Sequence, residues 1–192
     1  MAASEDTFAR LVSLAVHDLR TPLATVAGFA RTLQRDDLEE PKSRYVEFMI
    51  AATDQLAELL DDLGIAARIK GDRWEPNLQE VSSWDLAGAV AAQLPVDLEG
   101  SPGPVRVDRD ACVRAIVLLC RCALRHGGLE RVRLDVNGPE LSIGPIPEEA
   151  VAIVAAVNLR DLGAAVGVTI VNALGGRVEA GDTSISIFLP PA

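Results

Sequence analysis

Apolar residues recur at intervals of three and four positions along the first third of the chain, which is the spacing of a helix face. A polar, acidic stretch at residues 34–40 interrupts the pattern, and Pro41 beyond it suits the first position of a second helix. Gly71 follows the last apolar position, where a helix C-cap is expected. The pattern predicts two long helices within residues 4–70. Their apolar positions are Phe8, Leu11, Ala15, Leu19, Pro22, Val26, Phe29 and Leu33, then Val46, Met49, Thr53, Leu56, Leu60, Leu63 and Ala67.

Two long helices joined by a short break are expected to fold back on each other as an antiparallel hairpin. A hairpin alone cannot bury two apolar seams that continue along its whole length. Pairing with the hairpin of a second chain would bury them in a four-helix bundle. The sequence therefore predicts a homodimer.

Beyond Gly71, glycine and proline become frequent, and strand-like runs alternate with shorter helices. The predicted strands are Leu78–Val81, Val105–Val107, Val132–Val136, Glu140–Ile143, Arg177–Ala180 and Ser184–Leu189. The predicted helices are Trp84–Leu94, Arg109–His126 (capped by Asp108 and ended by Gly127), Glu148–Val157 and Asp161–Leu174. We therefore expect an α+β protein, with the helical hairpin in residues 1–72 and a small α/β sandwich in residues 73–192, its helices covering one face of a sheet.

Composition and charge exclude several classes of partner. The chain is 49% hydrophobic and 24% charged, which indicates a folded protein. Its net charge is −10, and neither part has the basic patch that nucleic acid requires. The longest apolar run, residues 150–157, is far shorter than the ~20 residues of a membrane span. With no signal-peptide pattern at the N-terminus, the expectation is a cytoplasmic protein without a membrane partner.

The three cysteines lie in one apolar stretch, at Cys112, Cys120 and Cys122. No pair of histidines stands at metal-ligand spacing, so we interpret them as reduced core residues rather than as a ligand set. His126 ends a predicted helix, where a cation suits the helix dipole, and we interpret it as a helix-end residue rather than a catalytic one.

The seven residues His17–Leu23 carry the candidate chemistry. His17 is two positions from both Ala15 and Leu19, which is a rotation of about 200° around the helix from either of these predicted apolar positions. Its imidazole should therefore face solvent. A neutral ring nitrogen is a competent nucleophile. Asp18 could hold the second ring nitrogen or manage its proton, and Thr21, one turn on, could place a water. The alternative interpretation is an ordinary solvated surface histidine.

The run His-Asp-Leu-Arg-Thr-Pro-Leu, on the first helix of a hairpin, resembles the H-box of sensor histidine kinases. The resemblance covers about the first 70 residues. It implies that His17 is the phosphoacceptor, that Asp18 assists as a base, and that Thr21 assists dephosphorylation of a response regulator.

The second part resembles the ATP-binding domain of these kinases in its order of elements, but it departs from the family at the nucleotide contacts. The helix after Asp108 resembles the N-box helix, yet the Mg²⁺-binding asparagine falls on Cys122 and a second asparagine on Leu118, neither of which offers oxygen. The adenine-binding turn corresponds to Ser142–Pro147, which has no aspartate, and the first glycine of the last box is Asp161. We therefore expect a degenerate domain that binds neither ATP nor a metal.

A phosphorylatable hairpin attached to a degenerate ATPase-like domain resembles the dimeric histidine phosphotransferases. This implies transfer of a phosphoryl group between His17 and the aspartates of response-regulator receiver domains, with Mg²⁺ supplied by the receiver. Two alternatives stay open. The protein could be a divergent histidine kinase that still uses ATP, or a non-catalytic pseudokinase that regulates a response regulator and does not need His17.

Receiver docking is expected on the outward face of the hairpin, below the histidine. Arg20 either meets an acidic receiver or is simply solvated. The candidate docking residues are Arg20, Thr25, Gly28, Thr32, Gln55 and Glu58.

Overall fold

The computed structural model describes residues 2–35 and 38–192, with side chains from residue 12 onward in those ranges. The chain divides into two compact units, Met1–Trp74 and Glu75–Ala192. The predicted seam residues Phe8 and Leu11 lie outside the described side chains. No helix of the described ranges combines the length and the apolar character that crossing a membrane requires.

The first unit is a hairpin of two long helices, α1 (Ala2–Arg35) and α2 (Lys42–Lys70). Pro41 precedes α2 as its N-cap residue and does not occupy the first helical position as predicted. Gly71 ends α2, and its backbone N–H donates to the carbonyl of Ala67 at 3.0 Å. The helix–break–helix pattern of the sequence is therefore confirmed, with the start of the second helix shifted by one residue.

The two helices contact each other through small side chains. Ala27 and Ala30 of α1 are buried, and Val16 packs over Gly64 of α2, where an added Cβ would lie 3.5 Å from the Val16 Cγ1 atom. Two ion pairs join the helices in antiparallel order, from Arg20 to Asp61 and from Arg31 to Asp54, each with a nitrogen–oxygen distance of 2.5 Å.

The predicted seam of α1 is not the surface that contacts α2. Leu19, Val26, Phe29 and Leu33 are exposed in the chain, and Ala15 and Pro22 are exposed with them. The contact with α2 lies about 90° around the helix, where the small residues permit close approach. The second run was predicted better, since Val46, Thr53 and Ala67 are buried, although Met49 and Leu56 are exposed.

Most of the large exposed apolar residues of the hairpin form an apolar stripe, and Leu14 and Phe48 are exposed as well but are not counted in it. On each helix, the residues of the stripe are rotated about the helix axis in the same sense from the residues that contact the other helix. Because the two helices run antiparallel, both sets therefore lie on the same face of the hairpin. The apolar stripe consists of Leu19, Val26, Phe29 and Leu33 on α1 and Tyr45, Met49, Leu56 and Leu59 on α2.

The second unit consists of strands and helices in mixed order. Its elements are β1 (Gln79–Ser82), α3 (Ser83–Ala91), β2 (Val96–Pro102), β3 (Pro104–Val107), α4 (Arg109–Gly127), β4 (Val132–Gly138), β5 (Glu140–Gly144), α5 (Glu148–Val154), α6 (Leu162–Ala173), β6 (Arg177–Ala180) and β7 (Ile185–Phe188). Five strands form a sheet of order β2-β4-β5-β7-β6, and β1 and β3 form a separate pair. Strand β2 is parallel to β4, and the other neighbours in the five-stranded sheet are antiparallel.

The core of this unit lies between one face of the sheet and the helices. Burial alternates along β4, where Val132, Leu134 and Val136 are buried and Arg133 is exposed, so one face is covered. The central helix α4 contributes Ile116 and Leu119 to this core and packs against α3, α5 and α6. The α+β class and the sandwich with one covered face agree with the sequence prediction.

Several details of the second unit differ from the prediction, among them the end of α3, which lies at Ala91 and not at the predicted Leu94. Strand β2 was not predicted, because its residues 96–102 include acidic residues, glycine and proline that are typical of a loop. Gly100 in this strand has φ +107°, and a Cβ there would lie 1.9 Å from the carbonyl oxygen of Val136. Helix α5 ends at Val154, short of the predicted Val157. Helix α4 has its left-handed C-cap at Gly128, with φ +60°, one residue beyond Gly127.

Candidate functional site

His17 lies on α1 within a run of ordered helix, one residue after the buried Val16. Its side chain is 78% exposed, which agrees with the direction predicted from helix geometry. A nucleophile held on a stiff helix and open to solvent is accessible to a second protein.

Asp18 contacts the imidazole directly. The Nδ1 atom of His17 lies 3.1 Å from the Oδ1 atom of Asp18. An ionised carboxylate only accepts hydrogen bonds, so this contact requires the proton on Nδ1 in the neutral ring. The lone pair is then on Nε2, which is the nitrogen available for attack on an electrophile. The geometry is consistent with the first predicted role of Asp18, holding the second ring nitrogen.

A shallow hollow of about 580 Å³ lies beside His17 on α1. It is lined by His17, Arg20, Thr21, Ala24 and Thr25. It therefore brings together two of the predicted chemical residues and two of the predicted docking residues. The Thr25 hydroxyl donates to the carbonyl of Thr21 at 3.1 Å, which fixes its direction along the helix.

Arg20 takes a position that neither sequence interpretation described. Its guanidinium donates to Asp61 of α2 at 2.5 Å, and both side chains are about half exposed. It therefore ties α1 to α2 at the edge of the hollow while keeping some of its surface in solvent. An exposed pair of this kind contributes only about 0–1 kcal/mol, so a docking partner could separate it.

The remaining docking candidates are not among the residues that line the hollow. Gly28 is exposed, with no atom within 4 Å of an added Cβ, and the Thr32 hydroxyl donates to the Gly28 carbonyl at 2.9 Å. Gln55 and Glu58 are exposed on α2.

In the second unit, the positions that resemble nucleotide contacts are occupied by other groups. Leu118 is a buried hydrocarbon, and Cys122 is a buried thiol whose pKa burial raises to about 12, with Asp161 adding to the effect. Asp161 caps α6, since its Oδ1 atom accepts from the backbone N–H of Ala164 at 2.9 Å. Leu118 and Cys122 offer no oxygen ligand to Mg²⁺, and the Asp161 carboxylate occupies the N-terminus of α6, where the helix dipole would otherwise favour a phosphate.

Asp161 is the centre of a polar cluster that sequence reasoning did not assemble. Its side chain is only 2% exposed, and its Oδ2 atom lies 2.9 Å from His126 Nε2 and also contacts the Arg125 guanidinium. Burial raises the pKa of Asp161, but the hydrogen bonds from Ala164 and His126 and the charge of Arg125 outweigh it and lower the pKa overall. His126 is therefore more than a helix-end residue. His126 and Asp161 are 35 residues apart in sequence, so no local pattern of the sequence indicates that they meet.

Comparison with known proteins agrees with this geometry. The family model of the His Kinase A (phospho-acceptor) domain matches residues 9–71, a range that contains His17 and its hollow. The Sensor protein DivL of Caulobacter vibrioides is 29% identical over 145 residues, which are 63% of this chain and 19% of DivL.

Two solved structures share the fold of nearly the whole chain. Full-length ShkA in complex with AMPPNP has a TM-score of 0.70 at 21% identity, over 94% of this chain and 45% of ShkA. The Acinetobacter baumannii histidine kinase AdeS has a TM-score of 0.63 at 19% identity, over 91% of this chain and 97% of that one. The chain thus spans less than half the length of DivL and of ShkA. Residues 9–71 thus match the phospho-acceptor domain of histidine kinases, and the fold of the chain is similar to that of the histidine kinase AdeS and of ShkA.

Proposed function

We propose that this protein is a histidine phosphotransferase: as a dimer, it accepts a phosphoryl group on His17 from one receiver domain and passes it to another. The proposal rests on the exposed imidazole of His17, whose Nδ1 lies 3.1 Å from Asp18 and whose Nε2 has no hydrogen-bond partner among the described residues. It lies in the part of the chain that matches the phospho-acceptor family.

The chemistry is a reversible transfer of one phosphoryl group between a receiver aspartate and the imidazole of His17. Nε2 of His17 attacks the phosphorus of the receiver's aspartyl phosphate, the N–P bond forms, and the P–O bond to the aspartate breaks. The receiver carboxylate leaves with the electron pair, and the proton stays on Nδ1. The ring gains positive charge in this step, and Asp18 stabilises it from the other nitrogen. The return step to a second receiver aspartate reverses each of these changes, and the receiver supplies Mg²⁺.

The dimer is supported by the apolar stripe. Eight large apolar residues on one face of the hairpin are exposed in the single chain, and a face of this size is unusual on a protein that stays monomeric. Domains of this family generally dimerise, and histidine kinases act together with response regulators. His17 and its hollow lie on a different side of α1 from the stripe, so dimerisation would leave them accessible to a receiver.

The phosphotransferase is preferred to an ATP-dependent kinase because of the second unit. ShkA, which shares the fold, was solved with a bound nucleotide analogue. In this chain, the positions that resemble the nucleotide contacts of the kinase family are Leu118, Cys122 and Asp161, and Asp161 already binds Arg125 and His126. A receiver phosphate is then the source of the phosphoryl group.

The test compares two phosphate donors in the presence of Mg²⁺. Radiolabelled ATP alone is expected to leave the protein unlabelled, and a purified receiver domain carrying labelled aspartyl phosphate is expected to label it within minutes. Label from ATP would show a kinase and refute the proposal. Absence of label from both donors, with several receivers of the same cell, would leave the non-catalytic regulator as the function.

Thr25→Arg is expected to slow transfer from the receiver about tenfold or more, which corresponds to about 1.4 kcal/mol. The long cationic side chain would occupy the hollow that Thr25 shares with His17, where the receiver is proposed to dock. Stopped-time transfer assays would measure the rate, and chromatography would confirm an unchanged oligomeric state. Gln34→Arg, which adds the same side chain at an exposed site of α1 outside the hollow, is the matched control. Equal slowing by both variants would contradict docking at the hollow.

A further inference from the structure

Three potential metal ligands converge between α4 and α6 in the second unit, away from His17. One ligand atom each of Cys122, His126 and Asp161 lies within 4.8 Å of the other two. Cys122 and His126 are four residues apart on α4, so they share one side of the helix. Asp161 is fixed at the N-terminus of α6 by its hydrogen bond from the Ala164 N–H at 2.9 Å.

The chemistry of these ligands selects the metal. A thiolate, an imidazole and a carboxylate are the donors that Zn²⁺ accepts, and three protein ligands leave its fourth position open. Magnesium prefers oxygen ligands alone, and only one of the three donors is an oxygen. We propose that Cys122, His126 and Asp161 form a binding site for a transition-metal dication such as Zn²⁺, joining the end of α4 to the start of α6.

The geometry needs only a small contraction to hold the ion. In a tetrahedral zinc site, bonds of 2.0–2.3 Å put neighbouring ligand atoms about 3.3–3.8 Å apart. His126 Nε2 and Asp161 Oδ2 are already 2.9 Å apart, so they would separate slightly while Cys122 moves closer. His126 is 28% exposed and gives the ion a path from solvent.

Binding of Zn²⁺ changes the protonation of Cys122 and the ion pair of Asp161. The Cys122 thiol releases its proton to solvent as the Zn–S bond forms, and the thiolate and the Asp161 carboxylate neutralise the dication. Arg125 then loses its partner, and its largely exposed side chain can turn into solvent. Arg125 is therefore a competitor of the metal. If Arg125 instead held His126 and Asp161 in place for a metal, its removal would weaken metal binding and not strengthen it.

The direct test is a titration of the full-length, chelator-treated protein with Co²⁺ under reducing conditions. Co²⁺ takes the place of Zn²⁺ and gives a thiolate-to-metal charge-transfer band when a cysteine is bound. One equivalent per chain is expected to produce this band, and one equivalent of Zn²⁺ to remove it. The absence of a thiolate band in the wild type would overturn the proposal.

Matched variants assign the ligands. Cys122→Ser is expected to abolish the band, whereas Cys120→Ser, a buried cysteine outside the cluster, keeps it. Arg125→Ala is expected to tighten Co²⁺ binding about tenfold, since it removes the competitor. His17→Gln, at the other histidine of the chain, is expected to leave the titration unchanged. A band that survives Cys122→Ser, or weaker binding in Arg125→Ala, would refute the site. Should Cys122→Ser fail to fold by circular dichroism, the wild-type and Arg125→Ala titrations decide.

Discussion

His17→Gln is expected to reduce transfer of phosphate from a phosphorylated receiver to background, a loss of at least about 10³-fold. Glutamine keeps a polar side chain of similar length on the helix, but its amide nitrogen is not a nucleophile at neutral pH. Because the His17 side chain is 78% exposed and its hydrogen bond goes to the neighbouring Asp18, the substitution should leave the hairpin folded. The measurement is the amount of acid-labile, base-stable label on the protein after mixing with the labelled receiver.

The chain offers a matched control, because it contains only two histidines. His126→Gln changes the same side chain in the second unit, 28% exposed and bound to Asp161, and it is expected to retain full labelling. Label that persists in His17→Gln and disappears in His126→Gln would show that the phosphoryl acceptor is His126 in the second unit, which would contradict the proposed function. Wild-type signalling by His17→Gln in cells would instead indicate the non-catalytic regulator.

The periodicity of the sequence predicted both long helices but not the face by which they meet. Leu19, Val26 and Phe29 are the most apolar positions, so they were assigned to the seam. Within one chain the contact is made instead by Ala27, Ala30 and Gly64, because small residues allow two backbones to approach closely. Hydrophobicity alone does not distinguish a contact within the hairpin from a contact between hairpins.

The two candidate sites differ in how far the sequence could reveal them. His17, Asp18 and Thr21 lie within five residues of one helix, so helix geometry places them without knowledge of the rest of the fold. The cluster at Asp161 depends on α4 and α6 packing together, which brings residues 35 positions apart into contact. The sequence singled out Cys122 and Asp161 separately, as departures from the kinase pattern. Only the packed structure shows that these departures meet at one place.

The apolar stripe is the surface through which two chains are proposed to associate. Phe29→Glu is expected to weaken the dimer at least about 100-fold, or about 2.7 kcal/mol. Phe29 is 68% exposed in the single chain and central among the stripe residues of α1, so the dimer would bury it. A buried carboxylate without a partner is costly, and a two-fold symmetric interface would contain it twice. Sedimentation equilibrium over a range of concentrations measures the dissociation constant.

Gln34→Glu makes the same change in charge five residues further along α1, at an exposed polar position, and it is expected to leave the dimer intact. The pair of variants separates the effect of position from that of net charge, which is already −10 for each chain. A dimer of Phe29→Glu as tight as the wild type would mean that the stripe is not the dimer interface. Dissociation in Phe29→Glu alone would show that the face left uncovered by the hairpin contact is the one that joins two chains. Because His17, Arg20, Thr21 and Thr25 all lie on α1 of one chain, a folded Phe29→Glu monomer that still accepts phosphate would further separate the acceptor chemistry from dimerisation.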